Sequence, residues 1–437
     1  MRKFQTLILL IGLATGMPAT AADGFELPPI EYSSTTPANP ISQLQSRIDS
    51  GKASVTKDGQ PGYLRAVLNE LDVPIDSQVL VFSQTSLQRH LISPETPRAI
   101  YFNDDVYIGY CQNGEVLEVS AADPRLGTVF YTLSQHDAGR PQFARQTDHC
   151  LQCHHSSRTE GVPGHVVRSL FVGKNGLPIF SGGSYNVDHT TPLDHRWGGW
   201  YVTGTHGAQE HLGNLVIPTA DVPAVVDNSA GQNQAAIPDT VTRSAYLSPH
   251  SDIVAHMVLE HQVLVHNRMT KANFAARQAL ASDAEMRKIL GEKDNQLLES
   301  TVRRIASAGE DLVEALLFAE EAPLKGPVAG TSGFEQSFPR RGPHDSQGRS
   351  LRDFDLKTRM FKYPCSYLIG SESFRKLPPE MLDFVWNRLK AVLVDGTEPK
   401  KYAHLSPEAR QAIVEILLET HPDAAARWKT LPGVSTE

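Results

Sequence analysis

The chain has 437 residues, of which 40% are hydrophobic and 21% charged, and its formal net charge at pH 7 is −8. This composition excludes collagen-like and wholly disordered chains, and the length favours two globular domains. The acidic charge argues against nucleic acid as a partner, because phosphate binding requires concentrated lysine and arginine.

The first 21 residues contain the three parts of a signal peptide in the usual order. Arg2 and Lys3 give a positive start, residues 7–14 are apolar, and a small-residue cleavage site ends at Ala21. The apolar run is too short to span a bilayer, and no later stretch is long and apolar enough to do so. We therefore expect cleavage after Ala21 and an exported, periplasmic mature protein without a membrane span.

Residues 22–40 are rich in proline and serine and predict a flexible leader. Residues 41–72 predict helix, because their apolar residues recur at helical spacing. Between residues 78 and 133, short segments rich in β-branched and aromatic residues alternate with turn signals, which predicts an antiparallel sheet of hairpins. Strands are expected at residues 79–82, 99–102, 106–110, 116–119 and 128–132.

Strand signals return after residue 160. Residues 166–172 and 177–180 predict a hairpin around a Gly-Lys-Asn-Gly turn, and residues 197–203 predict one more strand. Residues 207–247 are polar with little periodicity and predict a connecting segment.

The rest of the chain, residues 248–437, predicts a mainly helical domain. Late helices are expected at residues 376–394 and 406–419, while prolines and glycines near residues 323–349 predict an irregular excursion. The predicted fold class is therefore α+β, with an N-terminal antiparallel β-rich domain over residues 41–206 followed by the helical domain.

Cys150 and Cys153, with His154 directly after the second cysteine, form the sequence C-x-x-C-H, which is a c-type haem attachment signal. Two thiols at this spacing can form thioethers with one haem, and the adjacent histidine is then placed as the proximal iron ligand. A zinc site would need two further ligands at finger-like spacing, and a thioredoxin-like site would need a βαβ context. We expect one covalent haem c in the β-rich domain, since the single motif excludes di-haem and multihaem arrangements.

The distal ligand of the iron is predicted from the helix that opens the C-terminal domain. His261 falls in the middle of its apolar stripe and is the first candidate, whereas His256 and His266 fall outside the stripe. His206, in a segment rich in tryptophan and glycine, is the second candidate, and Met257 on the same stripe is the third. The alternative for His261 is a hydrogen-bonded core histidine, and the alternative for His206 is a hairpin packed in the sheet core. The alternative for Met257 is ordinary core filling.

Two cysteines and two arginines outside the motif are also the subject of predictions. Cys111 and Cys365 are expected either to form a disulfide or to be two buried free thiols. Arg158 and Arg168 are expected either to pair with haem propionates or to lie on the surface as ordinary charges.

The haem motif and four further regions resemble a group of large exported bacterial proteins described only as cytochrome c domain-containing. The resemblance spans most of the chain and implies one c-type haem and an exported location. It implies no particular reaction. The four regions are residues 196–207, residues 251–254 with 257–262, residues 351–356 and residues 363–369.

These observations predict a periplasmic mono-haem cytochrome that transfers electrons to a redox partner protein. Two alternatives stay open, and the first is favoured by a length that electron transfer alone does not need. One is a haem-dependent oxidoreductase acting on a small molecule, and the other is a haem-based sensor or binding module.

Overall fold

A seven-stranded antiparallel sheet occupies the N-terminal half of the chain, as predicted. The computed structural model describes residues 24–428 except residues 138, 220, 292–295, 398 and 399. The strands are β1 Val79–Val81, β2 Arg98–Phe102, β3 Val106–Tyr110, β4 Val116–Asp123, β5 Gly127–Ser134, β6 Phe143–Gln146, β7 Arg168–Leu170, β8 Ser184–Asn186 and β9 Trp200–Tyr201. The order in the large sheet is β6-β5-β4-β3-β2-β1-β9, and β7 pairs with β8 in a separate two-stranded sheet.

Helices dominate the C-terminal half, so the coarse α+β prediction is confirmed. The helices are α1 Pro40–Asp49, α2 Leu64–Glu70, α3 Leu151–His154, α4 Ile253–Leu290, α5 Glu299–Leu316, α6 Phe334–Ser337, α7 Glu372–Arg375, α8 Pro379–Leu393, α9 Pro407–Thr420 and α10 Pro422–Trp428. None of the described helices is long and apolar enough to cross a membrane.

The two faces of the large sheet pack against different helices, because successive side chains of a strand point to opposite faces. Leu80 and Tyr101 belong to a core shared with α1 and α2, whereas Val79 and Phe102 belong to a core shared with α4. The turn between β2 and β3 is fixed by Asn103, whose side-chain oxygen accepts hydrogen bonds from two following backbone N–H groups.

The first three turns of the longest helix, α4, residues 253–263, are buried on all sides. The helix begins after Asp252, whose side chain accepts hydrogen bonds from two N–H groups of the first turn, and it ends at Gly291 with φ 69°. The sheet covers one side of α4, and α5 and α8 pack against it as well. His256 and His266 are therefore buried together with His261. The expectation that only His261 faces the interior is wrong, because the helix has no solvent-facing side there.

Strand residues and helix residues share one hydrophobic core. It includes Val81 and Trp200 from the sheet and Val258, Leu312 and Leu389 from helices α4, α5 and α8. The β-rich part and the helical part of the chain are thus in direct contact through buried apolar side chains.

The N-terminal part differs from the sequence-based expectation in two ways, and the predicted signal peptide lies outside the described residues. Residues 24–39, expected to be a flexible leader, are packed against the sheet, where Ile30 and Tyr32 are fully buried. The Tyr32 hydroxyl donates to the carbonyl of Thr128 (2.8 Å). The helix expected over residues 41–72 is two helices, because glycines and a proline interrupt the region between α1 and α2.

The predicted hairpin after the haem motif pairs differently. Strand β7 pairs with β8, and residues 177–180 contribute only a bridge between Val172 and Pro178. The pairing stops there because a 3-10 turn follows at Phe180–Gly182, in which the N–H of Gly182 donates to the carbonyl of Ile179 (3.1 Å). The strand expected at residues 197–203 is shortened to β9, because Trp197 has φ 68°, outside the extended region.

The disulfide expected as one alternative for Cys111 and Cys365 is not formed. Both thiols are free and buried, which is the other alternative. Burial raises the pKa of each thiol to about 12, so both are neutral at physiological pH.

Candidate functional site

The C-x-x-C-H segment lies directly after β6, the edge strand of the large sheet, and forms the one-turn helix α3. Cys150 is half-buried and Cys153 is exposed, and both are free thiols. Burial raises the pKa of the Cys150 thiol to about 11. The motif therefore offers two unpaired thiols at or near the surface.

His154 is held by one hydrogen bond that leaves its other ring nitrogen free for a ligand. Its Nδ1–H donates to the carbonyl of Gly164 (2.9 Å), and the backbone N–H of Gly164 donates back to the carbonyl of His154 (2.9 Å). Packing around the ring lowers the pKa of His154, which favours neutral imidazole. A neutral histidine whose Nδ1–H is held by a carbonyl presents the Nε2 lone pair, as an iron ligand requires.

Asn267 on α4 fixes the loop that follows the motif. Its Nδ2 donates to the carbonyl of His165 (2.8 Å), and its Oδ1 accepts from the backbone N–H of His165 (3.2 Å). A Cβ atom on Gly164 would lie 2.1 Å from the same Oδ1, so glycine is required for this close approach. The carbonyl that orients His154 is thereby anchored to the helical core.

His165 was missed in the sequence analysis and lies beside the motif. Its ring centre is 5.8 Å from that of His154, 4.3 Å from that of Tyr107 and 5.6 Å from that of Phe130. Its Nε2 is 2.7 Å from the hydroxyl of Ser120, and its Nδ1 is buried without a hydrogen-bond partner. The sequence feature that could have identified His165 is its position directly after the Pro-Gly turn that follows the motif.

A charged pair on the sheet lies near the motif. Arg98 pairs with Glu118 (2.7 Å), and the two charges are among the influences on the pKa of both Cys150 and His154. The guanidinium lies across Gly109, where a Cβ atom would be 2.1 Å from Nη2. The Nε atom of Arg98 is buried without a partner, so this guanidinium has an unused donor close to the motif.

A hydrogen-bonded chain connects this site to the C-terminal part of the protein. The Tyr107 hydroxyl is 2.9 Å from Nδ1 of His266 and accepts from Nε2 of Gln262 (2.9 Å). The Tyr367 hydroxyl donates to the other end of the Gln262 amide (2.6 Å), and the guanidinium of Arg352 lies over the Tyr367 ring. Burial lowers the pKa of His266 to about 4, so its ring is neutral.

His261, the first candidate for the distal ligand, lies in a different cluster. Its Nδ1 is 3.0 Å from Nδ1 of His189, its Nε2 is 2.8 Å from the hydroxyl of Ser366, and its ring stacks on Phe318. Both ring nitrogens are used in hydrogen bonds within the protein. The structure therefore does not bring His261 to His154, and it corresponds to the hydrogen-bonded core histidine given as the alternative.

His206 and Met257 are not brought to the motif either. Nε2 of His206 accepts from the backbone N–H of Asn233 (3.1 Å), and its ring lies against that of His211. Burial lowers the pKa of His206 and lowers that of His211 to about 3. Met257 is buried in the core that α4 shares with the sheet and α5. Both residues thus occupy interior positions with partners of their own.

The segment between the motif and α4 also contributes a buried ion pair. Arg196 donates to Glu260 of α4 (2.9 Å), and the indole N–H of Trp197 donates to the other carboxylate oxygen. Burial raises the pKa of Glu260 to about 7, against the opposing effect of Arg196. These residues connect the strand region to α4 and lie away from solvent.

Arg168, one of the two arginines expected either near propionates or on the surface, is half-buried on β7. Its guanidinium donates to Ser184 (3.1 Å), lies over the exposed ring of Phe180, and is electrostatically coupled to Cys153. Arg158 is exposed directly after the motif. Both positions suit a carboxylate-bearing ligand attached at the two cysteines.

No family model, curated protein or solved structure matches this chain. Within the described residues, no group of three or more His, Cys, Asp or Glu side chains is placed to hold a metal ion by itself.

Proposed function

We propose that this protein is an exported mono-haem c-type cytochrome that transfers electrons, with the haem joined to Cys150 and Cys153 and with His154 as proximal ligand. The observation that supports this proposal best is the hydrogen bond from Nδ1–H of His154 to the carbonyl of Gly164. His154 follows directly after the second of two free thiols. This arrangement orients the imidazole and leaves Nε2 for a metal.

The donor set fits a covalently attached haem. Cys150 and Cys153 supply two thiols at the spacing that thioether formation requires, and His154 supplies a neutral imidazole. Arg98, Arg158 and Arg168 would hold the propionates, since arginine binds carboxylates through a planar fork of donors. The bound haem would supply a one-electron iron couple.

Electron transfer is favoured over a buried substrate reaction by the exposure of Cys153. A group attached to an exposed side chain reaches the protein surface, where a redox partner protein can approach it. The mixed surroundings of the motif, with Arg168 and the exposed Phe180 ring at one side, also suit a partner surface.

The test is covalent haem attachment. The full chain is expressed in bacteria that export it and mature c-type haem, and the purified protein is denatured and examined for bound haem and for its visible spectrum. Cys150→Ala and Cys153→Ala should each weaken or abolish covalent attachment. The matched control is Cys111→Ala, since Cys111 is also a free thiol but lies buried elsewhere. Wild-type protein without covalent haem under these conditions would contradict the proposal.

A further inference from the structure

We propose that the β7–β8 hairpin is the surface on which the redox partner protein docks, and that this partner presents carboxylates around an apolar contact. The hairpin comprises residues 168–186, from the start of β7 to the end of β8, and is called the docking hairpin below. This inference rests on the proposed function and adds the chemical character of the partner. The position of the hairpin, its exposed apolar side chains and the sign of its charges support it.

The docking hairpin begins close to the C-x-x-C-H motif. Gly164 is hydrogen-bonded to His154 through both its N–H and its carbonyl, and β7 begins four residues later at Arg168. Four residues span at most about 14 Å, so the start of the hairpin lies within that distance of Gly164. Cys153, the exposed cysteine of the motif, is also among the groups that influence the pKa of Arg168. A haem joined to Cys153 would therefore reach the surface beside the docking hairpin.

The docking hairpin exposes large apolar side chains. Three of them are exposed, namely Leu177 (52%), Phe180 (65%) and Tyr185 (42%). Among the described residues, no other phenylalanine is as exposed as Phe180. Phe171 and Val222 both lie against Gly182, where an added Cβ atom would be 2.7 Å from each side chain. Exposed aromatic and aliphatic groups of this kind are typical of the centre of a protein interface.

The charges of the docking hairpin are positive. Residues 161–187 contain Arg168 and Lys174 but no aspartate or glutamate, although the whole chain has 49 acidic residues and 41 basic ones. The Arg168 guanidinium donates to Ser184 and lies over the Phe180 ring, and no described carboxylate pairs with it. Lys174 is exposed and is not needed for the propionates, so its charge stays available when haem is bound.

These charges favour an acidic partner. The net charge of the chain is −8, so an acidic protein is repelled by the molecule as a whole and attracted only where positive charge is concentrated. Such a field orients the partner as it approaches, which brings it to the exposed side of the motif. A second copy of this chain docked through the same hairpin would bring like charges together. A partner with carboxylates around an apolar contact matches both features of the docking hairpin.

The experiment uses the haem-loaded full chain and two electrodes of defined surface chemistry in place of the unidentified partner. One gold electrode carries a mixed monolayer of carboxylate-terminated and methyl-terminated thiols, and the other carries amine-terminated and methyl-terminated thiols. Haem content is measured first for every protein. Voltammetry then gives the amount of electroactive haem on each electrode at low and at high ionic strength.

Four variants form two matched pairs. Phe180→Ser and Lys174→Gln alter the docking hairpin. Ile289→Ser and Lys288→Gln are the controls, because both side chains are exposed at the C-terminal end of α4. That end is about 55 Å from the start of the helix, which adjoins β9 and, through it, β7.

We expect wild type to give at least tenfold more electroactive haem on the carboxylate surface than on the amine surface, and to lose this signal at high ionic strength. Phe180→Ser and Lys174→Gln should each reduce the signal at least threefold, while both controls match wild type. A larger signal on the amine surface, or equal signals for the hairpin variants and the controls, overturns this inference alone. Wild type without covalent haem overturns the proposed function and this inference with it.

Two further measurements test the other possible occupants of the docking hairpin. Sedimentation of the haem-loaded protein detects a second copy, and flotation with vesicles of anionic phospholipid detects a membrane surface. We expect neither dimers nor vesicle binding. A dimer, or vesicle binding, that is lost in Phe180→Ser and Lys174→Gln but kept in the controls would assign the hairpin to that occupant and overturn the acidic partner.

Discussion

Arg196 and Glu260 form an ion pair (2.9 Å) in which the arginine side chain is 4% exposed and the glutamate side chain is fully buried. The indole N–H of Trp197 satisfies the second carboxylate oxygen, and two backbone carbonyls accept from the remaining guanidinium donors. Every charge in the group is therefore hydrogen-bonded, which is the condition under which a buried ion pair is tolerated.

Glu260→Gln should destabilise the protein strongly. It leaves the buried guanidinium of Arg196 without its counter-charge, and losses of about 3–5 kcal/mol are typical of such changes. The measurement is the free energy of unfolding in urea. Glu299→Gln is the control, because Glu299 pairs with Arg303 at a position that is 82% exposed and should change stability by less than about 0.5 kcal/mol. Equal losses in the two variants would contradict the prediction.

Moderate acid should destabilise the protein through its buried histidines. Burial lowers the pKa of His189 and His266 to about 4 and that of His211 and His256 to about 3. The unfolded histidines, with an ordinary pKa of 6.5, bind protons first, so their contribution is fully present above this pH and is lost as the pH falls toward 4. Three buried carboxyl groups act in the opposite direction, since burial raises the pKa of Glu260 and Glu321 to about 7 and that of Asp105 to about 6. Their raised pKa contributes stability that is lost as the pH rises through these values.

Four histidines outweigh these three carboxyl groups, so the free energy of unfolding should be lower at about pH 5 than at about pH 7.5. The measurement is urea unfolding at both pH values. A His266→Phe variant has one proton-binding site fewer in the unfolded state, and the difference between its two values should be smaller. A wild-type stability that is unchanged or greater in acid would contradict the expectation.

Much of the sheet could be predicted from the sequence because its strands are short, rich in β-branched and aromatic residues, and separated by turns such as that at Asn103. The strand at residues 197–203 was overpredicted, since a positive φ at Trp197 is not visible in the residue type. The long helix was predicted, but its burial was not. A helix enclosed on all sides buries polar residues that are satisfied by partners distant in sequence, and a single periodic stripe cannot show this.

The candidate site was predicted only in part, for the same reason. Cys150, Cys153 and His154 could be identified from local spacing. The position of His165 beside them depends on hydrogen bonds with Ser120 on the sheet and Asn267 on α4. The candidates for the distal ligand were His261 and Met257 on α4 and His206 before it, and all three have interior positions away from the motif.

Tyr107→Phe should destabilise the protein by about 1–3 kcal/mol, because it leaves buried polar groups of His266 and Gln262 without their partner. Urea unfolding measures the loss, and Tyr185→Phe is the control, since Tyr185 is 42% exposed and its change should be within about 0.5 kcal/mol. A loss in Tyr107→Phe no larger than in the control would mean that water replaces the hydroxyl at no cost.

Gly109→Ala tests whether the Arg98–Glu118 pair beside the motif requires a residue without a side chain at position 109. The new Cβ would lie 2.1 Å from Nη2 of Arg98, so the guanidinium must leave its place over β3 and its bond to Glu118 must lengthen. Overpacking of this kind costs about 1–3 kcal/mol. Gly370→Ala is the matched control, because no atom lies within 4 Å of its added Cβ.

The two glycine variants should differ in the free energy of unfolding and in the reduction potential of the haem-loaded protein. Gly370→Ala should change the free energy of unfolding by less than about 1 kcal/mol, in either direction. In the haem-loaded protein, Gly109→Ala should also shift the reduction potential of the iron, because Arg98 and Glu118 set the local charge beside Cys150 and His154. A destabilised Gly109→Ala protein with an unchanged potential would show that the pair supports the sheet without influencing the motif.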